Sequence, residues 1–497
     1  MPALPARPHF LDGRPWPAGS SCGGLVFDPA RGEPIARVPF AGRAEVDAAV
    51  GSAAAAQAPW GEAPLGRRAE IMFAFRQHVL GHSDELAALV TTEQGKTLAD
   101  ARGEIARGIE VLEYACGMPK LLQGAHSSQL ATGVDAHSLL QPLGVVAAIT
   151  PFNFPVMVPL WTLAGAIACG NAVVLKPSEK TPGAALRLAA LATAAGVPPG
   201  VLNVIHGDHT TAGLLLAHPG IDAVSFVGST PAARQVHERA TAAGKRVQAL
   251  GGAKNHMVVL PDADLNMAAD AAVSAGFGAA GERCMAISVL VAVGAVADRL
   301  VEAVAQRIRT IRIGAGSDPD VDMGPLISAA HRERVLGYVG RAAAQGARLV
   351  SDGRMRIPAQ GFFVGPTLID HVTPAMDLYR DEIFGPVLSV VRVPSFDAAL
   401  ELVNSHACGN GAALFTRDGG AARRFEREVQ AGMVGINVPI PVPAAQFSFG
   451  GWKSSLYGDL HIYGPDGIRF LTRTKVVTTR WPAAAPGRLD LGFPTQR

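Results

Sequence analysis

The sequence predicts an α/β protein of two or three domains built on parallel sheets, and three observations carry that prediction. From residue 144 to residue 250, apolar runs of four to seven residues alternate with helical stretches. A second alternating region runs from about 255 to 430. The length, 497 residues, exceeds what one ordinary hydrophobic core supports. Strands joined through helices run parallel, with helices on both faces of the sheet. Such sheets take ligands in the crevice beyond the carboxyl ends of their strands, so the loops after the strands matter most.

The elements follow in order. The N-terminal third reads as mostly helical, as in AEVDAAVGSAAAAQAPW and RAEIMFAFRQHVLGHSDELAALVTTEQGK. Segment 126–142 has the look of an isolated hairpin. Strands are then predicted at 144–150, 172–176, 201–205, 222–228 and 246–250. Helices at 156–170, 184–196, 211–218 and 231–244 separate them, all but the third ending in glycine. Beyond 255, DRLVEAVAQRIRTIRIG (298–314) reads as a helix and GFFVGPTLID (361–370) as a strand. Near the end, KVVTT within 470–482 is β-rich and has no evident partner. Residues 483–487 read as a loose end, and no internal repeat is present.

Composition excludes several classes. The net charge is +2 and no long basic run occurs, so neither nucleic acid nor a membrane surface is indicated. The charge-free run from Ser138 to Leu175 is long enough for a membrane helix, but Pro142, Pro151, Pro155 and Pro159 interrupt it. It reads as strand, loop, helix and turn. The N-terminus has no apolar stretch of signal-peptide length. Five scattered cysteines, Cys22, Cys116, Cys169, Cys284 and Cys408, form no CxxC pair, which suits a reducing, cytoplasmic compartment. No metal-ligand set is assigned.

No G-x-G-x-x-G follows any strand. Three other loops take its place: TPFNFP (150–155), KPSEKTP (176–182) and FVGST (226–230). Gly228 permits a tight turn, and the helix start at Ser229 and Thr230 offers free N–H groups to a phosphate. Glu179 and Lys176 sit where ribose hydroxyls bind, and the carboxylate favours NAD over NADP. In GERCMAIS (281–288), Cys284 follows Glu282 and Arg283, a polar setting foreign to a structural cysteine.

TPFNFP, LKPSE, FVGST, GGAKN, GERC and EIFGPV (382–387) occur in the order and at the spacings of the aldehyde dehydrogenase superfamily, which the chain resembles over essentially its full length. The resemblance implies an NAD-binding domain at 1–122 and 142–252, a thiol-bearing catalytic domain at 253–452, and an oligomerisation element at 123–141 and 468–482, followed by a tail at 483–497. It makes Cys284 the nucleophile and Asn153 the oxyanion donor. The implied cofactor set is Thr150, Phe152, Lys176, Glu179, Lys180, Gly228, Ser229, Gly251 and Glu382, the last on the nicotinamide ribose. The other four cysteines are expected to be buried and inert.

Hydrolytic members of this family carry a glutamate in E-L-G-G-K that activates water. The matching stretch here is ALGGAKN, which puts Leu250 or Ala249 at that position, and neither accepts a proton. Losing a general base costs around 10²–10⁴-fold in the step it serves. A thioester protected from water passes instead to a thiol, and coenzyme A is the natural acceptor. The nearest resemblance is accordingly to the CoA-acylating branch that oxidises methylmalonate and malonate semialdehyde. Arg283, and Arg107 off the stripe Ile105, Ile109, Leu112 and Cys116, match that branch's carboxylate-binding arginines. A salt bridge of Arg107 with Glu104 or Glu110 is the competing reading. Glu282 stands where the branch has glutamine, either repelling an anionic substrate or pairing with Arg283. Two alternatives stay open: a hydrolytic enzyme with Glu282 as base, and a catalytically silent binding protein. The resemblance further implies a homo-oligomer, a dimer paired into a tetramer.

Overall fold

The computed structural model describes residues 4–17, 22–355 and 357–481, so the tail at 483–497 lies outside the described residues. An eight-stranded sheet runs Arg14–Trp16, His9–Leu11, Leu202–Val204, Ala172–Lys176, Val145–Ile149, Ala223–Val227, Arg246–Leu250, Leu456–Tyr457. Its five central strands are parallel, and the edges are closed by antiparallel pairing. VVAAI and AVVLK are buried at every position, as expected of parallel strands covered on both faces. The strand order reverses between Val145–Ile149 and Ala223–Val227, and the crevice beyond that switch holds the loops at 150–155 and 228–230.

A seven-stranded sheet runs Arg348–Ser351, Thr367–Asp370, Val387–Val393, Ile287–Val293, Asn255–Val259, Gly411–Phe415, Met433–Ile436, parallel but for its first pair. Cys284 lies just before Ile287–Val293, at the amino end of this sheet. The site therefore forms where the carboxyl ends of one sheet meet the amino ends of the other. A third sheet joins Thr472–Arg480, Val134–Pro142 and His126–Ala131. The segment at 126–142 is thus no isolated hairpin, and KVVTT has a partner within its own chain. Arg246 fastens the base of this sheet, its guanidinium donating to the carbonyls of Arg469, Phe470 and Thr472.

Four expectations need correction. Four strands precede the helices of the N-terminal third: His9–Leu11, Arg14–Trp16, Gly23–Asp28 and Glu33–Pro39. The first two are three residues long, and pairing rather than local pattern holds them, His9–Leu11 on Leu202–Val204 and Arg14–Trp16 on His9–Leu11. The helix predicted at 298–314 stops at Ile308, where Thr310 turns its hydroxyl onto the Arg307 carbonyl and β-branched Ile311 and Ile313 follow. Of 361–370 only Thr367–Asp370 is strand, because Gly365 bonds back to Gly353 and Pro366 has no N–H to give. Cys116 and Cys169 are buried as expected, but Cys408 is half-exposed and Cys22 exposed. No helix among the described residues is long and apolar enough to cross a membrane.

Candidate active site

Cys284 is presented by a strained turn. Ala279, Ala280 and Gly281, at φ 49°, 53° and 74°, stand consecutively in the left-handed region. Non-glycine residues there cost roughly 1–2 kcal/mol each, and such strain gathers at functional sites. Gly281 is required, since a Cβ would lie 2.3 Å from the Gly385 carbonyl oxygen. After the turn, the side-chain amides of Asn255 and Asn410 both donate to the Cys284 carbonyl, at 2.9 and 3.0 Å. The Cys284 backbone is therefore held from strand Asn255–Val259 and from the bend that precedes strand Gly411–Phe415.

The thiol opens on a cavity of about 500 Å³. Arg107 and Arg283 both line it, together with Lys96, Asp100, Glu104 and an apolar wall that includes Phe154, Met157, Trp161 and Phe449. The structure thus brings the two predicted arginines to the predicted nucleophile. Each carries a carboxylate. Arg283 pairs with Asp100, and Gly278 leaves room for its guanidinium. Arg107 pairs with Glu110 at 2.5 Å, while Glu104 faces elsewhere. Burial, reinforced by the charge of Glu382, pushes the Cys284 thiol up to about 12, so it is protonated at neutral pH in the substrate-free protein.

Asn153 is 3% exposed, and its side-chain amide donates to the Glu282 carbonyl at 3.0 Å. One N–H of that amide remains for a substrate oxyanion. Lys96 and Glu104, which the sequence did not mark, fix this loop. The Lys96 ammonium donates to Glu104 at 2.7 Å and to the Asn153 carbonyl at 2.7 Å, and lies over the Phe154 ring. Glu104 in turn accepts the N–H groups of Val156 and Met157, the free donors at the start of helix Met157–Ala168.

Glu282 corrects the sequence reading. Its carboxyl is fully buried, bonded to Gln94 at 2.9 Å and to the Ile327 N–H at 3.1 Å, and burial pushes it up to about 8. It neither pairs with Arg283 nor lines the cavity. Leu250 and Ala249 are buried in opposite faces of their strand and do not line it either.

The predicted cofactor residues gather beyond the first sheet. Thr150 follows Val145–Ile149, and its buried hydroxyl has no partner among the described residues. Ser229 precedes helix Thr230–Ala242 without capping it through its side chain, which leaves that helix start open to an anion. Gly228 is tight against Phe226, and Gly251 against the Ser454 carbonyl. Lys180 lies over the Phe152 ring, and Phe152 meets Phe384 edge-on. Lys176 is buried on the carbonyls of Pro177 and Gly207, with Glu179 3.9 Å away. Glu382 follows a short helix rather than starting one, and its carboxylate accepts the Ala253 N–H at 2.9 Å. An orphaned hydroxyl, an open helix start and glycines that admit close backbone approach fit a dinucleotide.

A cysteine on a strained turn, a buried amide bonded to the carbonyl two residues before it and a nucleotide-type crevice fit a thiol-dependent aldehyde-oxidising enzyme. The chain belongs to the aldehyde dehydrogenase family, whose model matches residues 17–477. It is 52% identical to the malonate-semialdehyde dehydrogenase of Pseudomonas aeruginosa over 464 residues, covering 93% of each chain. The methylmalonate-semialdehyde dehydrogenase of Oceanimonas doudoroffii superposes with a TM-score of 0.95 at 50% identity, over 97% of this chain and 99% of that one. A Sinorhizobium meliloti protein, described as a candidate methylmalonate-semialdehyde dehydrogenase and solved with NAD, gives 0.96 at 48% identity, over 97% and 99%.

Proposed function

We propose that this enzyme oxidises methylmalonate or malonate semialdehyde with NAD and passes the acyl group to coenzyme A, releasing CO₂ and forming propanoyl-CoA or acetyl-CoA. The lining of the cavity carries the reading. Cys284 shares it with two arginines, and its two carboxylates, Asp100 and Glu104, are each spent on a cation. A substrate carboxylate has guanidinium groups to meet, and neither carboxylate lining this cavity is free to act as a base on water.

Cys284 gives up its proton to solvent and attacks the aldehyde carbon as the thiolate, and the developing oxyanion takes the Asn153 amide and the Cys284 backbone N–H. Thr150, Phe152, Lys176, Glu179, Lys180, Gly228, Ser229, Gly251 and Glu382 hold NAD, whose nicotinamide accepts the hydride. Collapse of the thiohemiacetal leaves a thioester on Cys284. The bond from the α-carbon to the carboxylate then breaks, its electron pair passes into the thioester carbonyl as an enolate, and protonation completes the loss of CO₂. The CoA thiolate displaces Cys284. With CoA omitted, steady-state NADH formation from malonate semialdehyde is expected to fall by about 10²-fold or more. Equal rates with a free acid as product would overturn the reading.

The relatives' names and the site favour the same substrate class, and the third sheet favours a homo-oligomer. Leu139, Val476 and Trp481 on and beside it are exposed. An uncovered apolar strand is an association surface. We place it in a dimer paired into a tetramer. Cutting the chain after Gly467 would also remove the buried Ile468, Phe470 and Leu471, so Val476→Asp is the cleaner probe. Light scattering should report a smaller assembly for the variant than for the native protein, and an unchanged tetramer or a monomeric native protein would contradict this role.

A further inference from the structure

Three ion pairs surround the cavity, and they differ in how firmly they are closed. Lys96–Glu104 is wholly buried, with both side chains at 0% exposure. Arg283–Asp100 is 20% and 22% exposed, and Asp100 also accepts the Ala279 N–H at 3.0 Å, so it is bound into the turn before Cys284. Arg107–Glu110 is 33% and 44% exposed, an i,i+3 pair on one helix whose carboxylate has no second partner among the described residues. Glu110 does not line the cavity, whereas Arg107 does.

Among the lining residues, three cations face two carboxylates. One positive charge is left over inside, and it resides on Arg107. That guanidinium keeps its orientation without Glu110. Its other terminal nitrogen donates to the Pro443 carbonyl at 2.6 Å and the Val442 carbonyl at 3.4 Å, and Pro443 is itself held by the Tyr463 hydroxyl at 3.1 Å. One edge of the fork is thus fixed by backbone, and the other is occupied by a carboxylate free to leave.

We propose that Glu110 is a specificity-determining placeholder, which occupies Arg107 in the empty enzyme and gives it up to the carboxylate of an incoming semialdehyde. The inference rests on the proposed semialdehyde reading. A half-exposed ion pair is weak, so the exchange is easy, yet it is competitive, so part of the substrate's binding is used to displace Glu110. An uncharged aldehyde has nothing to exchange and leaves the pair closed.

The test measures KM for malonate semialdehyde and for propanal in the native enzyme and in Glu110→Gln. The ratio of KM for malonate semialdehyde to KM for propanal is expected to fall about three- to fivefold in the variant, the scale of a half-exposed ion pair. A ratio that stays constant or rises overturns the assignment, since a merely structural role would shift both aldehydes together. If the native enzyme does not oxidise malonate semialdehyde at all, the substrate reading falls and this inference with it. Brisk native turnover with an unmoved ratio removes only the role of Glu110.

Discussion

Cys284→Ala is expected to lower aldehyde-dependent NADH formation by about 10⁴-fold or more while leaving the fold intact. The covalent route needs a nucleophile at this position, and among the described residues no other thiol lines the cavity. The side chain is partly exposed, so its loss opens no large void. Burial and then Glu382 oppose ionisation of the thiol, and the Cys284 and Met285 backbone N–H groups and Arg283 only partly offset them. Cys408→Ala is the control. That thiol sits beside Ser454 outside the cavity, and its loss is expected to leave the rate within about twofold. Steady-state assays with circular dichroism on both variants check this, and an active, folded Cys284→Ala enzyme would remove the covalent mechanism.

Lys96→Met is expected to destabilise the protein by roughly 3–5 kcal/mol, the cost of breaking a buried ion pair and leaving one charge unpaired. Lys96 is among the largest fully buried side chains, and it neutralises Glu104 at 2.7 Å. Glu104 cannot move to water, because its other oxygen serves the N–H groups of Val156 and Met157. The same ammonium holds the Asn153 carbonyl, so the oxyanion donor should shift and the rate should fall alongside stability. The midpoint of urea unfolding measures the first effect and kcat the second. A change below about 1 kcal/mol would mean that the pair is not carrying this loop.

The strands from Val145 to Val227 could be read in the sequence because parallel strands covered on both faces are short apolar runs, here separated by helical stretches. Cys284 was marked by its charged neighbours Glu282 and Arg283 and by six loop motifs in family order, and the structure places it on the cavity. Lys96 and Glu104 could not be marked in this way. Eight residues apart around a helix start, they carry the pattern of solvent-facing charges, and only the packing of Phe154 and helix Met157–Ala168 over them makes them internal. Glu282 was misplaced for a related reason. Its neighbour in sequence is Arg283, but the left-handed turn sends the two side chains opposite ways, one to Gln94 and the other to Asp100. The amides of Asn255 and Asn410, 155 residues apart, converge on Cys284 from a strand and from the bend before its neighbouring strand, a relation that exists only once the second sheet has formed.

The most direct test of the central claim is the mass of the enzyme quenched after incubation with malonate semialdehyde and NAD in the absence of CoA. One acetyl group per active site is expected on the peptide that contains Cys284, formed with a stoichiometric burst of NADH and discharged as acetyl-CoA when CoA is added. Continued turnover to a free acid without CoA, with Cys284 unmodified, would contradict the claim.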